Sequence, residues 1–266
     1  ASLGTSSVIG MDIDVVGATS GTSTATGLTV NVSGADTNYA ALFNGGNVGI
    51  GTTAPGYLMH LTTSSRPTMG LTSTDAGADP GPIIYLERHS GSPADGDNIG
   101  SIYFQAYNDA AESTTFARMR GVMVDASNGD EEGGIRFDTT LGGDTSVEAM
   151  RIVGGNVGIG CTPETYHSSV YALQLKNGGL VTEASVGASK SITLAYNQYV
   201  DSGNAWTYIN ADEASYYQQF NGDHYFTTAP AGSADGDVTN TINFKLDANS
   251  RISLSNNDSS GGASTT

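Results

Sequence analysis

The sequence predicts an all-β protein of small antiparallel β-sandwich modules joined by Gly-rich β cassettes. Three observations predict it. Apolar and polar residues alternate with a period of two in many short runs, clusters of Gly, Asn, Asp and Ser separate the runs, and no stretch shows helical periodicity with caps. One Gly-rich stretch also recurs. Gly45 to Pro55 reads Gly-Gly-Asn-Val-Gly-Ile-Gly-Thr-Thr-Ala-Pro, and Gly154 to Pro163 reads Gly-Gly-Asn-Val-Gly-Ile-Gly-Cys-Thr-Pro, 109 residues later (154 − 45). Such repetition marks a modular chain. A degenerate third copy runs from Ser250 to Ser255, with Ile252 and Leu254 in the places of Val157 and Ile159.

Taken in order, residues 1–43 read as a Ser/Thr/Gly-rich shaft followed by the end of a truncated module, with a strand over Leu28, Val30 and Val32. Residues 44–61 hold the first cassette. Period two places Val48 and Ile50 on one face of a strand, and Gly49 and Gly51 on the other with Asn47. Glycine inside a strand weakens it unless something must approach closely, and the expected visitor is another chain. Residues 62–152 carry five strand candidates, at Pro82 to Arg88, Asn98 to Tyr107, Thr114 to Asp125, Gly134 to Thr139 and Ser146 to Val153. Five short strands at this spacing predict a small antiparallel sandwich.

Residues 153–176 hold the second cassette, with Val157 and Ile159 against Gly158 and Gly160. Residues 177–247 form a β module whose clearest element is an Asn221-Gly222 hairpin between Ser215 to Phe220 and Asp223 to Thr228, with a short helix over Asp212 to Gln219 as the rival. Residues 248–266 hold the degenerate cassette and a polar tail. The two larger modules are related, since Ala94-Asp95-Gly96-Asp97 and Ala234-Asp235-Gly236-Asp237 precede Ile102-Tyr103-Phe104 and Ile242-Asn243-Phe244 at the same offset.

Composition bounds the function. Gly supplies 36 of 266 residues, about twice the usual share, and hydrophobic residues only 38 %. Each module has a thin core, and burial between chains is the expected remedy. Ten Lys and Arg stand against 27 Asp and Glu, for a formal charge of −17. That excludes the basic surface that nucleic acid requires. No 18-residue apolar run exists, so no membrane-inserting helix is expected. Cys161 is the single cysteine and allows no disulfide within one chain.

Catalytic and metal motifs are missing, and the expectation is no enzyme, no cofactor and no metal site. Gly49 to Ala54 fits a loose dinucleotide fingerprint, but Pro55-Gly56 follows where a helix must open. The Asp95 and Asp235 turns fail as EF-hand loops, because Ile99 and Ala106, or Thr239 and Leu246, occupy ligand positions. His60, His89, His167 and His224 are isolated in sequence. Carboxylates such as Glu87, Asp109, Glu112, Glu131 and Glu132 leave glycoside cleavage to be decided by spacing in the fold. Trp206, Tyr208, Tyr216, Tyr217, Phe220, Tyr225 and Phe226 crowd into positions 206 to 226. Trp206, Tyr208, Tyr217 and Tyr225 are the candidate receptor contacts, since their rings pair an apolar face with a polar tip.

Glu148-Ala149-Met150-Arg151-Ile152, running into Gly155-Asn156-Val157-Gly158-Ile159-Gly160 and then a Pro and a Leu-rich strand, resembles the repeated module ends of tail-fibre and tailspike proteins of tailed bacteriophages. Asn38 to Phe43 and Tyr216 to Thr228 read like parts of the same fibres, and the resemblance spans Leu28 to Ser255. It implies an elongated extracellular homotrimer in the virion, linking other virion tail proteins to a bacterial surface glycan or protein receptor. Its trimer joints are expected at Val48, Gly49, Ile50, Gly51, Val157, Gly158, Ile159, Gly160, Ile252 and Leu254. Such fibres often end in a self-cleaving intramolecular chaperone, whose Ser-Asp and Lys-containing motif is absent from this stretch; the resemblance implies a chain processed or cut. A bacterial trimeric surface adhesin is the alternative, and a polysaccharide-depolymerising tailspike the third reading.

Overall fold

Period-two alternation becomes ladder structure through most of the second half of the chain, and only locally in the first. The computed structural model describes residues 13–17, 19, 21, 22, 24–34, 37, 39–65, 69–78, 81–183, 190–249 and 251–254. Among these every regular element is a strand. The chain divides into two units, residues 1–83 and 84–266.

In the first unit, β1 (Val48–Ile50) and β2 (Met59–Leu61) form a parallel pair. The expected strand at Leu28 to Val32 is not formed. Its alternation is real, yet all three apolar side chains are exposed and no described strand lies beside them. Asn38 of the fibre-like segment, most of the N-terminal shaft and nearly all of the polar tail lie outside the described residues.

In the second unit a meander runs through β3 (Asn98–Tyr107), β4 (Ser113–Asp125), β5 (Glu132–Leu141), β6 (Asp144–Val153) and β7 (Asn156–Ile159). It continues through β8 (Val170–Leu175), β9 (Gly178–Glu183) and β10 (Ser191–Tyr196). A two-stranded excursion follows, β11 (Gln198–Val200) with β12 (Trp206–Tyr208). The meander then resumes with β13 (Ala214–Phe220), β14 (Asp223–Ala229), β15 (Thr241–Leu246) and β16 (Ile252–Leu254). Twelve of these strands make one open sheet in sequence order, and its neighbours are antiparallel everywhere except β7 and β8.

The expected sandwich is therefore replaced by a continuous single sheet. Four of its five strand candidates exist, as β3 to β6, but Pro82 to Arg88 forms no strand, and among the described residues no second sheet covers the four. Alternation identifies a half-buried strand without saying what buries it. The helix considered over Asp212 to Gln219 is also absent, because β13 occupies this stretch. Asn221 (φ 52°) and Gly222 (φ 90°) are both left-handed between β13 and β14, as a two-residue hairpin turn of the twist-compatible kind requires.

The two faces of the sheet differ sharply. On the first, β5 to β15 align one residue each in register: Ile135, Ile152, Val157, Leu173, Leu180, Leu194, Tyr217, Phe226 and Phe244. A neighbouring row runs Ile102, Met119, Phe137, Met150, Ile159, Leu175, Gly178 and Tyr196 from β3 to β10. The opposite face carries polar side chains, and over β8 to β14 the chain's own loops cover it. There Tyr166, Val170, Ala172, Val181, Tyr199 and Val200 form one small core with Trp206 and Ile209 against it, and Tyr208, Ala214 and Ala229 form another. Buried amides pin the excursion: Asn197 Nδ2 donates to Asn210 O (3.1 Å) and Glu213 O (3.0 Å), and Gln198 and Asn240 exchange side-chain bonds.

Candidate assembly surface

Both full cassettes build the same unit, a short strand followed by a tight crossover into a parallel partner. The registers are Val48 with Met59, Gly49 with His60 and Ile50 with Leu61, then Val157 with Leu173, Gly158 with Gln174 and Ile159 with Leu175. Parallel neighbours usually need a dozen or more connecting residues. Here residues 51–58 or 160–169 suffice. The strand's own glycine face makes that economy possible, as the crossover folds directly back across it.

This corrects the expectation that another chain approaches the glycines. A Cβ on Gly158 would lie 2.8 Å from Pro163 Cδ and would collide with the Cys161 carbonyl, while one on Gly49 would lie 2.5 Å from Thr52 O. Gly51 (φ 76°) and Gly160 (φ 68°) take left-handed backbone where the strand turns into the crossover, a conformation that costs a residue with a Cβ about 1–2 kcal/mol.

The residue opposite the central glycine holds the crossover in both copies. His60 Nδ1 accepts the N–H of Gly56 at 3.1 Å, and Gln174 Oε1 accepts the N–H of Glu164 at 2.8 Å. Gly56 and Glu164 each follow the cassette proline, so the contact survives the loss of one residue between Gly160 and Pro163. A tyrosine attends each site: Tyr57 packs edge-on to His60 at 5.3 Å, and the Tyr166 hydroxyl lies 3.5 Å from Gln174 Oε1. Burial pushes the Glu164 carboxyl and the Tyr166 phenol up, with nearby Asp235 adding to the first and Glu164 itself to the second.

The aliphatic side of each cassette is left open. Ile50 is 52 % exposed and Ile159 42 %, whereas Val48 and Val157 are half-buried. In the third copy the backbone of Ile252 pairs with Leu246 and that of Leu254 with Phe244, as Val157 pairs with Ile152 and Ile159 with Met150. The described residues give this copy no parallel partner.

The aromatic candidates separate. Trp206 stacks on Tyr216 at 5.2 Å and packs against the first core. Tyr208 is 4 % exposed and donates its hydroxyl to Pro230 O, which leaves no ring surface for a receptor. Tyr217 lies in the long apolar row and contacts His224 and Phe226. Tyr225 sits under Lys245 Nζ, 5.0 Å from its ring, and donates its hydroxyl to Asp223. Asp223 also meets Lys245 at 2.7 Å and the Ala248 N–H at 2.8 Å, and these bonds, the lysine's first, hold its carboxyl down to about 2.

Sequence reading missed an ionic network on the polar face of β4 to β6. Arg120, Arg136 and Arg151 stand directly opposite one another on three strands, an arrangement of like charges that is destabilising alone. Asp138 answers it. Its wholly buried carboxylate meets Arg118 at 3.0 Å, Arg120 at 2.8 Å and Arg136 at 2.6 Å, while Glu148 meets Arg136 at 2.8 Å and Arg151 at 2.7 Å. A period-two count of arginines across β4, β5 and β6 could have placed them on one face, but only the register brings them opposite.

The Asp-Gly-Asp turns serve the backbone. Met123 N donates to Asp97 O and Tyr208 N to Gly236 O, while Asp97 pairs with Arg88 at 3.0 Å. No cluster of metal-ligating side chains forms among the described residues. No protein-family model matches the chain, and no curated protein matches its sequence.

Proposed function

We propose that this chain is a structural and adhesive segment of a bacteriophage tail fibre, a homotrimer that links other virion tail proteins to a glycan or protein receptor on a bacterial surface. The observation that carries the reading is the repeated cassette. Two copies 109 residues apart (154 − 45) build one crossover with the same post-proline bond, and both leave their aliphatic side open. A repeated unit with an open apolar side suits a protein whose work is to join copies of itself along a shaft. The acidic, lysine-poor surface keeps such an assembly soluble. No step of catalysis and no cofactor enters this reading.

Light scattering of the purified protein is expected to give three times the chain mass of 27.2 kDa, with elongated particles in electron micrographs. Labelled protein is expected to adsorb to bacterial cells, and excess unlabelled protein to compete. A compact monomer that ignores cells, or release of reducing sugar from bacterial polysaccharide, overturns the proposal.

A further inference from the structure

We infer that the apolar face of the twelve-stranded sheet is buried against the same face of other copies of this chain. Only the number of copies rests on the fibre reading above. Burial in the lone chain is inverted relative to polarity: Leu194 is 57 % and Phe226 46 % exposed on this face, while Gln174 and Thr193 on the opposite face are each 1 % exposed. The crossover, β11, β12 and the loop after β14 are all committed to the polar face, so none of them covers the apolar one.

Area sets the scale of what is missing. The chain exposes 19346 Å², where a folded monomer of its mass exposes ~11,000 Å². On this face Ile159, Leu175, Leu180, Ile192, Leu194, Tyr196 and Phe226 are each 38–57 % exposed, and obligate interfaces commonly bury about 2,000–5,000 Å². Charge selects the occupant. The chain carries −17, so two copies repel over most of their surfaces, but neither apolar row bears a charged side chain. A basic partner finds nothing to pair with there, whereas a second copy meets an uncharged row that matches its own. Apolar patches of this extent on water-exposed proteins mark interaction surfaces.

The test uses the full chain. Leu194→Lys places a charge from every copy within the joined faces and is expected to reduce the assembly to the mass of one chain, one third of a trimer, with the β-sheet circular dichroism retained. Ser202→Lys, in the turn between β11 and β12, is expected to leave the mass unchanged. Hydroxyl-radical footprinting of the wild type needs no variant, and it compares two tyrosines of equal exposure in the lone chain. Tyr196 on the apolar face is 51 % exposed and Tyr103 on the polar face 52 %. Slow labelling of Tyr196 beside fast labelling of Tyr103 supports the inference, and decides the matter if Leu194→Lys does not fold. A monomeric wild type overturns it together with the fibre reading. An assembly in which Leu194→Lys is silent and both tyrosines label alike overturns it and leaves the fibre reading standing. A two-chain mass with Tyr196 protected supports the face and overturns the trimer.

Discussion

Gln174 Oε1 accepts the backbone N–H of Glu164 at 2.8 Å, from a side chain in a residue only 1 % exposed. Its amide nitrogen donates to Lys176 O at 3.0 Å. One buried amide therefore fastens the crossover to the strand it leads into. Gln174→Leu keeps the volume and removes both bonds, leaving a backbone donor and a carbonyl without these partners. A loss of ~1–3 kcal/mol per unsatisfied group is expected in denaturant unfolding. Unchanged stability would show that water replaces the amide without cost.

The glycine pair of the second cassette separates space from backbone conformation. Gly158→Val drives a side chain into Pro163 and the Cys161 carbonyl, with an expected cost of ~1–3 kcal/mol per chain. Gly160→Ala meets open space and incurs only the left-handed penalty of about 1–2 kcal/mol. The two variants are expected to differ in assembly as well. Gly158→Val displaces the crossover while its aliphatic neighbours stay outward, so unfolding should respond before oligomeric mass does. Loss of assembly in a fully stable Gly158→Val protein would return the glycine face to another chain.

Asp138 offsets part of the positive charge where three guanidiniums converge. Removing one partner from a buried ionic cluster costs about 3–5 kcal/mol, and Asp138→Ala is expected to fall in that range by chemical denaturation. Tyr103→Ala, across the ladder from Arg118, is the comparison that keeps the charges intact and should cost less. A cost for Asp138→Ala no larger than for Tyr103→Ala would mean that the arginines reach water unaided.

Asp223 gives a pH dependence with a defined sign. Its carboxyl is held down to about 2, first by the Lys245 bond and then by Ala248 N–H and the Tyr225 hydroxyl. A depressed carboxyl contributes stability that is present above the unfolded value, about 3.9, and is lost as pH falls toward 2. Asp223→Asn is expected to weaken the β14–β15 contact at neutral pH and to flatten the melting-temperature profile between pH 4 and 2 relative to wild type. Parallel profiles for the two proteins would remove Asp223 as the source.

The strands were the most legible part of the chain. Asn98 to Tyr107 was readable to the residue as β3, and the Asn221-Gly222 turn announced its hairpin, because side-chain period and turn chemistry are local properties. What covers a strand is not local. Leu28 to Val32 alternates and Pro82 to Arg88 carries a β-prone apolar run, yet neither pairs with a strand among the described residues. The cassette showed the same division. Gly49 and Gly158 correctly signalled a close approach, but the crossover from Thr52 or Cys161 is what arrives. His60 and Gln174 occupy one structural position with different side chains, so only the register identifies them as equivalents. Tyr208 and Tyr217 looked alike in sequence and lie on surfaces of opposite fate, one in a core and one in the open row.

Strand order that follows sequence order makes the twelve-stranded sheet a series circuit for force. Tension applied across the sheet from β3 to β10 passes through each intervening ladder in turn. The narrowest link then sets the strength of the whole. β7 spans four residues where β3 spans ten, and its ladder to β8 is the one parallel step. The cassette is thus the sheet's mechanical fuse, the rung that a neighbouring chain would most effectively splint.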